Sequence, residues 1–218
     1  MLTLLAEGPG WAVINKPAGI ATERHFQYDT VEGRALESWQ RPGATKPPFV
    51  GIVHRLDRVT SGALVLARRK STLVRLNESF AQGRTQKVYR AVTAAPLPAE
   101  QGRLRHYLIR NPTNKRAVAN VRPVPGGKEA ILEYRLLHST GQRYEYEIRL
   151  LTGRFHQIRA QLAATGAPIV GDADYGSQVI LGDARIALHA ASLSFPDPNG
   201  DATITVTADL PDYWPINL

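Results

Sequence analysis

The chain has 218 residues, a formal net charge of +8 and no cysteine. This length can bury one sizeable hydrophobic core, and the lack of cysteine excludes disulfides, thiolate metal ligands and thiol nucleophiles. No apolar run is long enough for a membrane helix, and the first residues lack a basic leader, so we expect a cytoplasmic protein without a membrane segment.

The basic residues are mostly arginine, which accounts for 21 of the 27 Lys and Arg residues. A surplus of positive charge attracts polyanions over long range, and a planar guanidinium suits phosphates and stacked bases better than an ammonium group does. Nucleic acid is therefore a candidate partner. The alternative is an arginine-rich surface that only keeps the protein in solution.

Runs of apolar residues indicate strands in several parts of the chain. Pro17 and Gly19 end the first run in a turn, and Pro125, Gly126 and Gly127 mark a turn between two later runs. The strands are predicted over residues 11–16, 51–56, 62–69 and 86–94, in several pieces over 100–151, and over 184–195 and 202–208.

Three stretches carry the start signals or the apolar spacing of helices. Asp29 and Glu32 resemble the polar residues of a capping box, whereas Gly83 and Gly166 are stop signals of two later helices. Residues 41–49, rich in Pro and Gly, are expected to form a loop. The helices are predicted from the capping box to about Trp39, over 71–83 with Leu73, Leu76 and Phe80 on one face, and over 152–168 with Phe155, Ile158 and Leu162 on one face.

The order of these elements predicts the fold class. Many strands and few helices in irregular order favour an α+β fold with a large, mixed, mainly antiparallel sheet and flanking helices. The chain contains no repeat, low-complexity tract or obvious linker. We therefore expect a single domain over residues 1–218.

Most familiar catalytic motifs are absent from the sequence. No two of the six histidines stand at i, i+4 spacing, and carboxylates do not cluster beside them, which argues against a metal site. No Gly-rich phosphate loop opens a helix after a strand. Ser61 has His54 seven residues away, but neither a G-x-S-x-G stretch nor a recognisable triad surrounds it. What remains is Asp57, which lies between Arg55 and Arg58 in GIVHRLDRVTSG (51–62).

Asp57 has two interpretations from its neighbours alone. An aspartate before a turn usually caps backbone N–H groups, although Thr60 and Ser61 could do so here. Neighbouring cations favour the ionised carboxylate. A positioned carboxylate can act as a nucleophile or as a base toward a sugar carbon or its neighbouring hydrogen.

The stretch HRLDRVTSG (54–62) resembles the signature H-R-L-D-x-x-T-S-G of RluA-type pseudouridine synthases, which contains their catalytic aspartate. The resemblance extends over about residues 11–210 and implies one pseudouridine-synthase domain with this core, an RNA substrate, and neither a cofactor nor a metal. Further family segments are matched in the expected order by NKPAG (15–19), KVYRA (87–91), GRFHQIRAQL (153–162), PIVGDADYG (168–176) and LHA (188–190).

The resemblance also implies roles for individual residues. Asp57 would be the catalytic carboxylate, and Arg55 the arginine that fills the gap left by the extruded base. Tyr89 corresponds to the tyrosine that stacks on the target uracil and helps to remove its C5 proton. Arg159 corresponds to the arginine that pairs with the catalytic aspartate. The expected substrate-binding residues are Arg55, His54, Thr60, Ser61, His156 and Arg154.

Each of these residues also has a structural interpretation. Arg55 could be a surface charge, Tyr89 could pack within its strand, and Arg159 could bond to sheet carbonyls. His54 and His156 could be structural hydrogen-bonding residues. Six basic residues are candidates either for RNA backbone contacts or for a solvated face: Arg103, Arg105, Arg110, Lys115, Arg116 and Arg122.

Many RluA-type relatives carry an amino-terminal S4-type RNA-binding domain, for which there is no room before Trp11. RNA selection is then expected from the catalytic domain itself. The target stays open between a transfer-RNA loop, a ribosomal hairpin, or both.

Three functions are compatible with these observations. The first is a monomeric RNA uridine isomerase that needs no cofactor. The second is a non-catalytic, basic RNA-binding or ribosome-assembly protein with the same fold, which would not need Asp57, Tyr89 and Arg159 together. The third, an aspartate-dependent glycosidase, usually requires two carboxylates, and only Asp57 has a suitable setting. The sequence favours the isomerase.

Overall fold

The computed structural model describes residues 2–113 and 115–215. Within them, strands far outnumber helices, and a 3-10 helix spans Ala173–Tyr175. The helices are α1 (Val31–Ser38), α2 (Lys70–Ala81) and α3 (Gln157–Ala164). The strands are β1 (Thr3–Gly8), β2 (Trp11–Lys16), β3 (Gly51–Ile52), β4 (Ser61–Ala67), β5 (Gln86–Thr93), β6 (Gln101–Asn111), β7 (Arg116–Asn120), β8 (Lys128–Ser139), β9 (Tyr144–Leu150), β10 (Leu188–Pro196) and β11 (Thr203–Thr207).

The many strands and three helices of the described residues confirm the predicted α+β class. One group of strands has the hydrogen-bonded order β1-β2-β4-β10, with β3 on β4 and β11 on β10, and a second group has the order β5-β9-β8-β6-β7. The pairs β1–β2, β2–β4, β5–β9, β8–β9 and β6–β8 are antiparallel. The chain divides into two compact units, unit 1 with Met1–Lys87 and Ala190–Leu210, and unit 2 with Val88–His189 and Pro211–Leu218.

Three strands differ from the prediction, and one of them, β10, begins at Leu188 instead of residue 184. Strand β1, which the apolar pattern did not indicate, pairs with β2. Strand β3 contains only two of the six residues predicted for it. It ends early because the ring Nε2 of His54, instead of a strand carbonyl, accepts the hydrogen bond from the Val65 backbone N–H.

The start of α1 also differs from the prediction. Its N-cap is Thr30, whose hydroxyl accepts a backbone N–H of the first turn. The predicted capping box is wrong: the Asp29 carboxylate pairs with Arg34, and the Glu32 carboxylate accepts the backbone N–H of Arg24. The helix nevertheless ends where the prediction placed it, one residue before Trp39.

Helix α3 begins later than its apolar spacing indicates. Phe155 lies before the helix, because His156 takes the left-handed conformation with φ of 51°. This conformation is uncommon for a residue with a side chain. The predicted face therefore keeps Ile158 and Leu162, both buried, and loses Phe155.

Strand β4 forms the centre of unit 1. All seven of its residues are buried, and β2 and α2 pack with it around a core that includes Trp11 and Phe195 in an edge-to-face contact of 5.4 Å. Burial of one such large apolar side chain stabilises a fold by about 1.5–3 kcal/mol. Residues 51–60 therefore lead directly into a well-packed strand that begins at Ser61.

In unit 2, α3 packs on β6 and β7. Small residues at this contact, Ala130 on β8 and Ala160 on α3, are both buried and let the helix lie close to the sheet. The Gln161 amide of α3 donates to the carbonyl oxygens of Leu104 and Ala130, each at 3.2 Å.

Over the described ranges, no helix combines the length and the apolar character needed to cross a bilayer.

Candidate active site

The backbone on both sides of Asp57 is held by hydrogen bonds within unit 1. The Thr22 hydroxyl donates to the carbonyl oxygen of Leu56 at 2.8 Å and accepts the Leu56 N–H at 3.2 Å. The carbonyl oxygen of Arg58 accepts the Gly19 N–H at 2.8 Å. Asp57 itself is half-buried, so its carboxylate is carried by peptide units that are already fixed.

The turn after Asp57 depends on a glycine. The Thr60 N–H donates to the Asp57 carbonyl oxygen at 3.0 Å and closes the turn. Gly62 then has a φ of 116°, and a Cβ atom there would lie 2.3 Å from the carbonyl oxygen of Ala190. Only glycine fits this close approach without a shift of the backbone, which explains the glycine of the Thr-Ser-Gly stretch after the aspartate.

Lys16 is a fully buried lysine beside this turn. Its ammonium donates to the carbonyl oxygens of Pro17 at 2.8 Å and Ile20 at 2.9 Å, and lies 3.4 Å from that of Arg58. Burial lowers the pKa of Lys16 to about 7, while the Asp57 carboxylate acts in the opposite direction. The sequence motif NKPAG contains this lysine, but its role was not predicted, although a lysine at the end of an apolar strand is a visible signal.

His54 is half-buried in unit 1. Its ring stacks on Phe80 with 4.8 Å between centroids, and its Nε2 accepts the Val65 N–H at 3.2 Å. Burial is the main reason why its pKa falls to about 3, and the nearby Lys87 cation adds to the effect. A neutral ring with one nitrogen committed to the backbone fits the structural interpretation of His54.

The other predicted residues of unit 1 differ in exposure. Arg55 forms an ion pair with Glu23 at 3.1 Å, and its side chain stays 60% exposed. Thr60 is buried, and its hydroxyl has no hydrogen-bond partner among the described residues. Ser61 is buried at the start of β4. Within this set, Arg55 is therefore the side chain that reaches solvent.

Tyr89 lies in unit 2, on a strand held by buried polar contacts. It is buried on β5 and stands opposite Ile148 of β9. The next residue, Arg90, pairs with the buried carboxylate of Glu145 at 2.6 Å. The same Glu145 oxygen accepts the indole N–H of Trp214 at 2.8 Å.

Arg159 points from α3 toward two carboxylates. Its Nε and Nη2 donate to the two Asp172 oxygens at 2.7 and 2.8 Å, and Nη2 also reaches Asp174 at 3.2 Å. The Arg159 guanidinium lies 4.9 Å from the centroid of the Tyr175 ring. The sequence motif PIVGDADYG contains these three partners, but they could not be identified from it, because their roles depend on a contact with α3.

His156 and Arg154 frame the start of α3. The Nδ1 atom of His156 lies 3.1 Å from the Tyr175 hydroxyl, and the imidazole stacks on Phe155 at 3.8 Å. Arg154 is exposed, and its Nε donates to the Glu129 carbonyl oxygen at 2.8 Å. Of the predicted residues in unit 2, His156 and Arg159 are brought together, with 3.1 Å between Nη1 and the imidazole Nε2.

Several of the basic residues proposed for RNA contacts have partners within the protein. Arg105 pairs with Glu129 at 2.6 Å, and the guanidinium of Arg110 lies 4.6 Å from the Phe155 centroid. Arg116 pairs with Asp174 at 3.3 Å. The others in this set are Arg103, Lys115 and Arg122.

Two cavities of unit 1, of about 270 and 480 Å³, lie away from Asp57. They share Arg41 and Arg68, and Arg68 follows the end of β4, opposite to the end that begins at Ser61. Across residues 2–113 and 115–215, no group of three or more His, Asp or Glu side chains could hold a metal ion.

Comparison with known proteins gives one consistent family. The family model described as RNA pseudouridylate synthase matches residues 10–164. The chain is 30% identical over 213 residues to ribosomal large subunit pseudouridine synthase C of Rickettsia bellii, which covers 97% of this chain and 69% of that protein. It is 32% identical over 224 residues to ribosomal large subunit pseudouridine synthase D of Neisseria meningitidis serogroup A, and this match covers 97% of this chain and 59% of that protein.

Solved structures share the fold. Human RNA pseudouridylate synthase domain containing 4 superposes with a TM-score of 0.78 at 23% identity, over 97% of this chain and 90% of that one. Human RNA pseudouridylate synthase domain containing 1 gives a TM-score of 0.76 at 25% identity, over 96% and 84%. The chain spans from 50% to 69% of the length of the curated relatives that it matches.

Proposed function

The chain belongs to the RNA pseudouridylate synthase family, and from this premise we propose that it converts one or more uridines of structured ribosomal or transfer RNA to pseudouridine, with Asp57 as the catalytic carboxylate. The observation that best supports this role of Asp57 is the hydrogen-bonded backbone on both sides of it. Thr22 holds both backbone polar groups of Leu56, and Gly19 holds the carbonyl of Arg58. A carboxylate carried by such a segment is positioned before the substrate arrives.

The proposed reaction is an isomerisation that balances without a co-reactant. The bond between C1′ of the ribose and N1 of the uracil breaks, the uracil turns, and C5 joins C1′. The C5 proton is then lost and N1 gains a proton, so nothing is oxidised or reduced. Asp57 starts the reaction either by attack on C1′ or by removal of the 2′ hydrogen, and both routes need the ionised carboxylate.

Arg55 and Tyr89 are proposed to stabilise the extruded uridine. Removing a base from its stack costs a few kcal/mol, which stacking on an aromatic side chain offsets by about 1–3 kcal/mol. The exposure of Arg55 supports a role in filling the space that the uracil leaves. Tyr89 would stack on the uracil and help to remove its C5 proton.

Arg159 is proposed to pair with the Asp57 carboxylate. A guanidinium carries five N–H donors, so its bonds to Asp172 and Asp174 are compatible with a further ion pair. The proposal treats residues 1–218 as one catalytic domain that acts as a cytoplasmic monomer. His54, Thr60, Ser61, His156 and Arg154 are proposed to contribute to substrate binding.

Tritium release tests the proposed function. Ribosomal and transfer RNA labelled with tritium at uridine C5 is incubated with the wild type, with Asp57→Asn, and with the matched control Asp209→Asn, which changes an exposed aspartate of unit 1. We expect release by the wild type and the control, and none by Asp57→Asn, which still binds RNA. Salt-sensitive binding without release by the wild type would instead indicate the non-catalytic RNA-binding protein.

A further inference from the structure

Residues 23–28, with the sequence ERHFQY, form a loop that is anchored at both ends beside the Asp57 turn, and we call it the aromatic loop. At its base, the Ala21 N–H donates to the Asp29 carbonyl oxygen at 3.1 Å. Thr22, the residue before the loop, is bonded to both backbone groups of Leu56. The loop therefore cannot move away from the turn without breaking several hydrogen bonds.

The tip of the aromatic loop carries planar side chains on the outside of unit 1. Phe26 is fully exposed and Tyr28 is about half exposed. The His25 ring stacks on the Tyr28 ring with 4.6 Å between centroids and 29° between planes. The guanidinium of Arg58, the residue after Asp57, lies 5.0 Å from the Tyr28 centroid. Tyr28 of the loop therefore contacts the residue that directly follows the proposed catalytic carboxylate.

A single exposed apolar side chain would need no explanation, but this combination does. Aromatic rings stack on nucleobases of any identity, and arginine planes do the same. The loop and the turn also contribute the exposed cations Arg24 and Arg58, which favour a phosphate backbone, whereas the exposed Arg55 is paired with Glu23 of the loop. Extruding a uridine leaves each neighbouring base without a stacking partner on one side. An aromatic surface at this position can replace that stacking partner and stabilise the extruded state.

We propose that the aromatic loop binds the RNA strand next to the target uridine, with the exposed ring of Phe26 stacking on an unpaired flanking base and Tyr28, which His25 and Arg58 contact, supporting the loop. The inference rests on the proposed function, because that function places the target uridine at Asp57. It adds a site for a nucleotide next to the target uridine. Because stacking tolerates all four bases, the site contributes affinity and register, with little choice of sequence.

A cycle of protein and RNA changes tests this site. The probe is a fluorescein-labelled ten-nucleotide RNA with one uridine among adenines. Four further RNAs each lack one base, at the first or second position before the uridine or at the first or second position after it. Binding is measured by anisotropy at low salt. We expect Phe26→Ala with Tyr28→Ala to raise Kd about tenfold, and one abasic RNA to bind the wild type about tenfold more weakly. The loop variant should bind this abasic RNA with the same Kd as the wild type does, because the aromatic ring and the missing base form one contact.

The matched control is Val74→Ala with Ile180→Ala, which removes exposed apolar side chains elsewhere and should leave Kd unchanged. Equal Kd values for the wild type and the loop variant, or additive losses at all four abasic positions, would overturn the proposal. Tritium release by the wild type is measured in parallel. Its absence would overturn the proposed function, whereas the binding cycle would still report on the loop.

Discussion

Arg159 and Asp172 form a buried ion pair with two contact points, Nε to Oδ2 at 2.7 Å and Nη2 to Oδ1 at 2.8 Å. Their side chains are only 4% and 1% exposed. Asp174 reaches the same guanidinium at 3.2 Å but is 58% exposed. The orientation of the α3 arginine is therefore determined by a carboxylate that lies thirteen residues further along the chain.

Asp172→Asn should strongly destabilise the protein. The change removes the buried carboxylate that holds the Arg159 guanidinium at two points and leaves it the longer contact with the exposed Asp174, and we expect the free energy of unfolding to fall by about 3–5 kcal/mol. Asp174→Asn is the control, with a loss of at most about 1 kcal/mol because its carboxylate is exposed. Urea denaturation of both variants measures the difference, and similar losses would contradict the prediction.

His54 should make the protein sensitive to acid. Its pKa is about 3 in the folded state, mainly because of burial, and about 6.5 in an unfolded chain. Between these values only the unfolded state binds the proton, so the stability present above pH 6.5 is lost as the pH falls toward 3. His54→Gln should flatten this part of the profile, whereas the exposed His138→Gln should keep it. Urea denaturation at several pH values between 7 and 4 is the measurement.

Lys16 should produce a second pH dependence, on the alkaline side. Its pKa is lowered to about 7, chiefly by burial, whereas a lysine in an unfolded chain titrates near 10.4. Between these values the unfolded state binds more protons, so the free energy of unfolding rises with pH. Lys16→Met should abolish this rise, and the exposed Lys70→Met should retain it. Urea denaturation between about pH 7 and 10 measures the effect. If the free energy of unfolding still rose with pH in Lys16→Met, another group would be its cause.

Lys16→Met should also lower kcat. The substitution removes the hydrogen bonds to the carbonyl oxygens of Pro17 and Ile20 and the contact with that of Arg58, next to Asp57. A small displacement of a catalytic group can cost about 10²-fold in rate. Tritium release under saturating RNA measures kcat, and circular dichroism confirms the fold. A folded variant with unchanged kcat would show that Lys16 does not position Asp57.

Gly62→Ala should destabilise unit 1 through a steric clash. The new methyl group would lie 2.3 Å from the Ala190 carbonyl oxygen, at a φ of 116°, and we expect a loss of about 2–4 kcal/mol from overpacking and backbone strain together. Gly126→Ala is the control, because its φ is 74° and nothing lies within 4 Å of the new methyl group. Thermal or urea unfolding should show a clearly larger loss for Gly62→Ala.

The strands that could be predicted are those with a local pattern. The continuous apolar run of β4 and the alternation in β9 are enough to indicate both strands from their residues alone. The start of α3 could not be predicted in this way. His156 adopts a positive φ while its ring stacks on Phe155 and approaches Tyr175, and a contact with a residue 19 positions away leaves no trace in helical spacing.

The sequence by itself determined most of the strands, the turns at glycine and the resemblance to one family, because apolar alternation, turn residues and short ordered motifs are local properties of a chain. Only the tertiary structure decided which polar groups meet. Lys16 lies beside the carbonyl oxygen of a residue 42 positions away, and Arg159 is oriented by Asp172. The free energy of a buried charge depends on partners brought from elsewhere by folding, so its role cannot be read from its neighbours in the sequence.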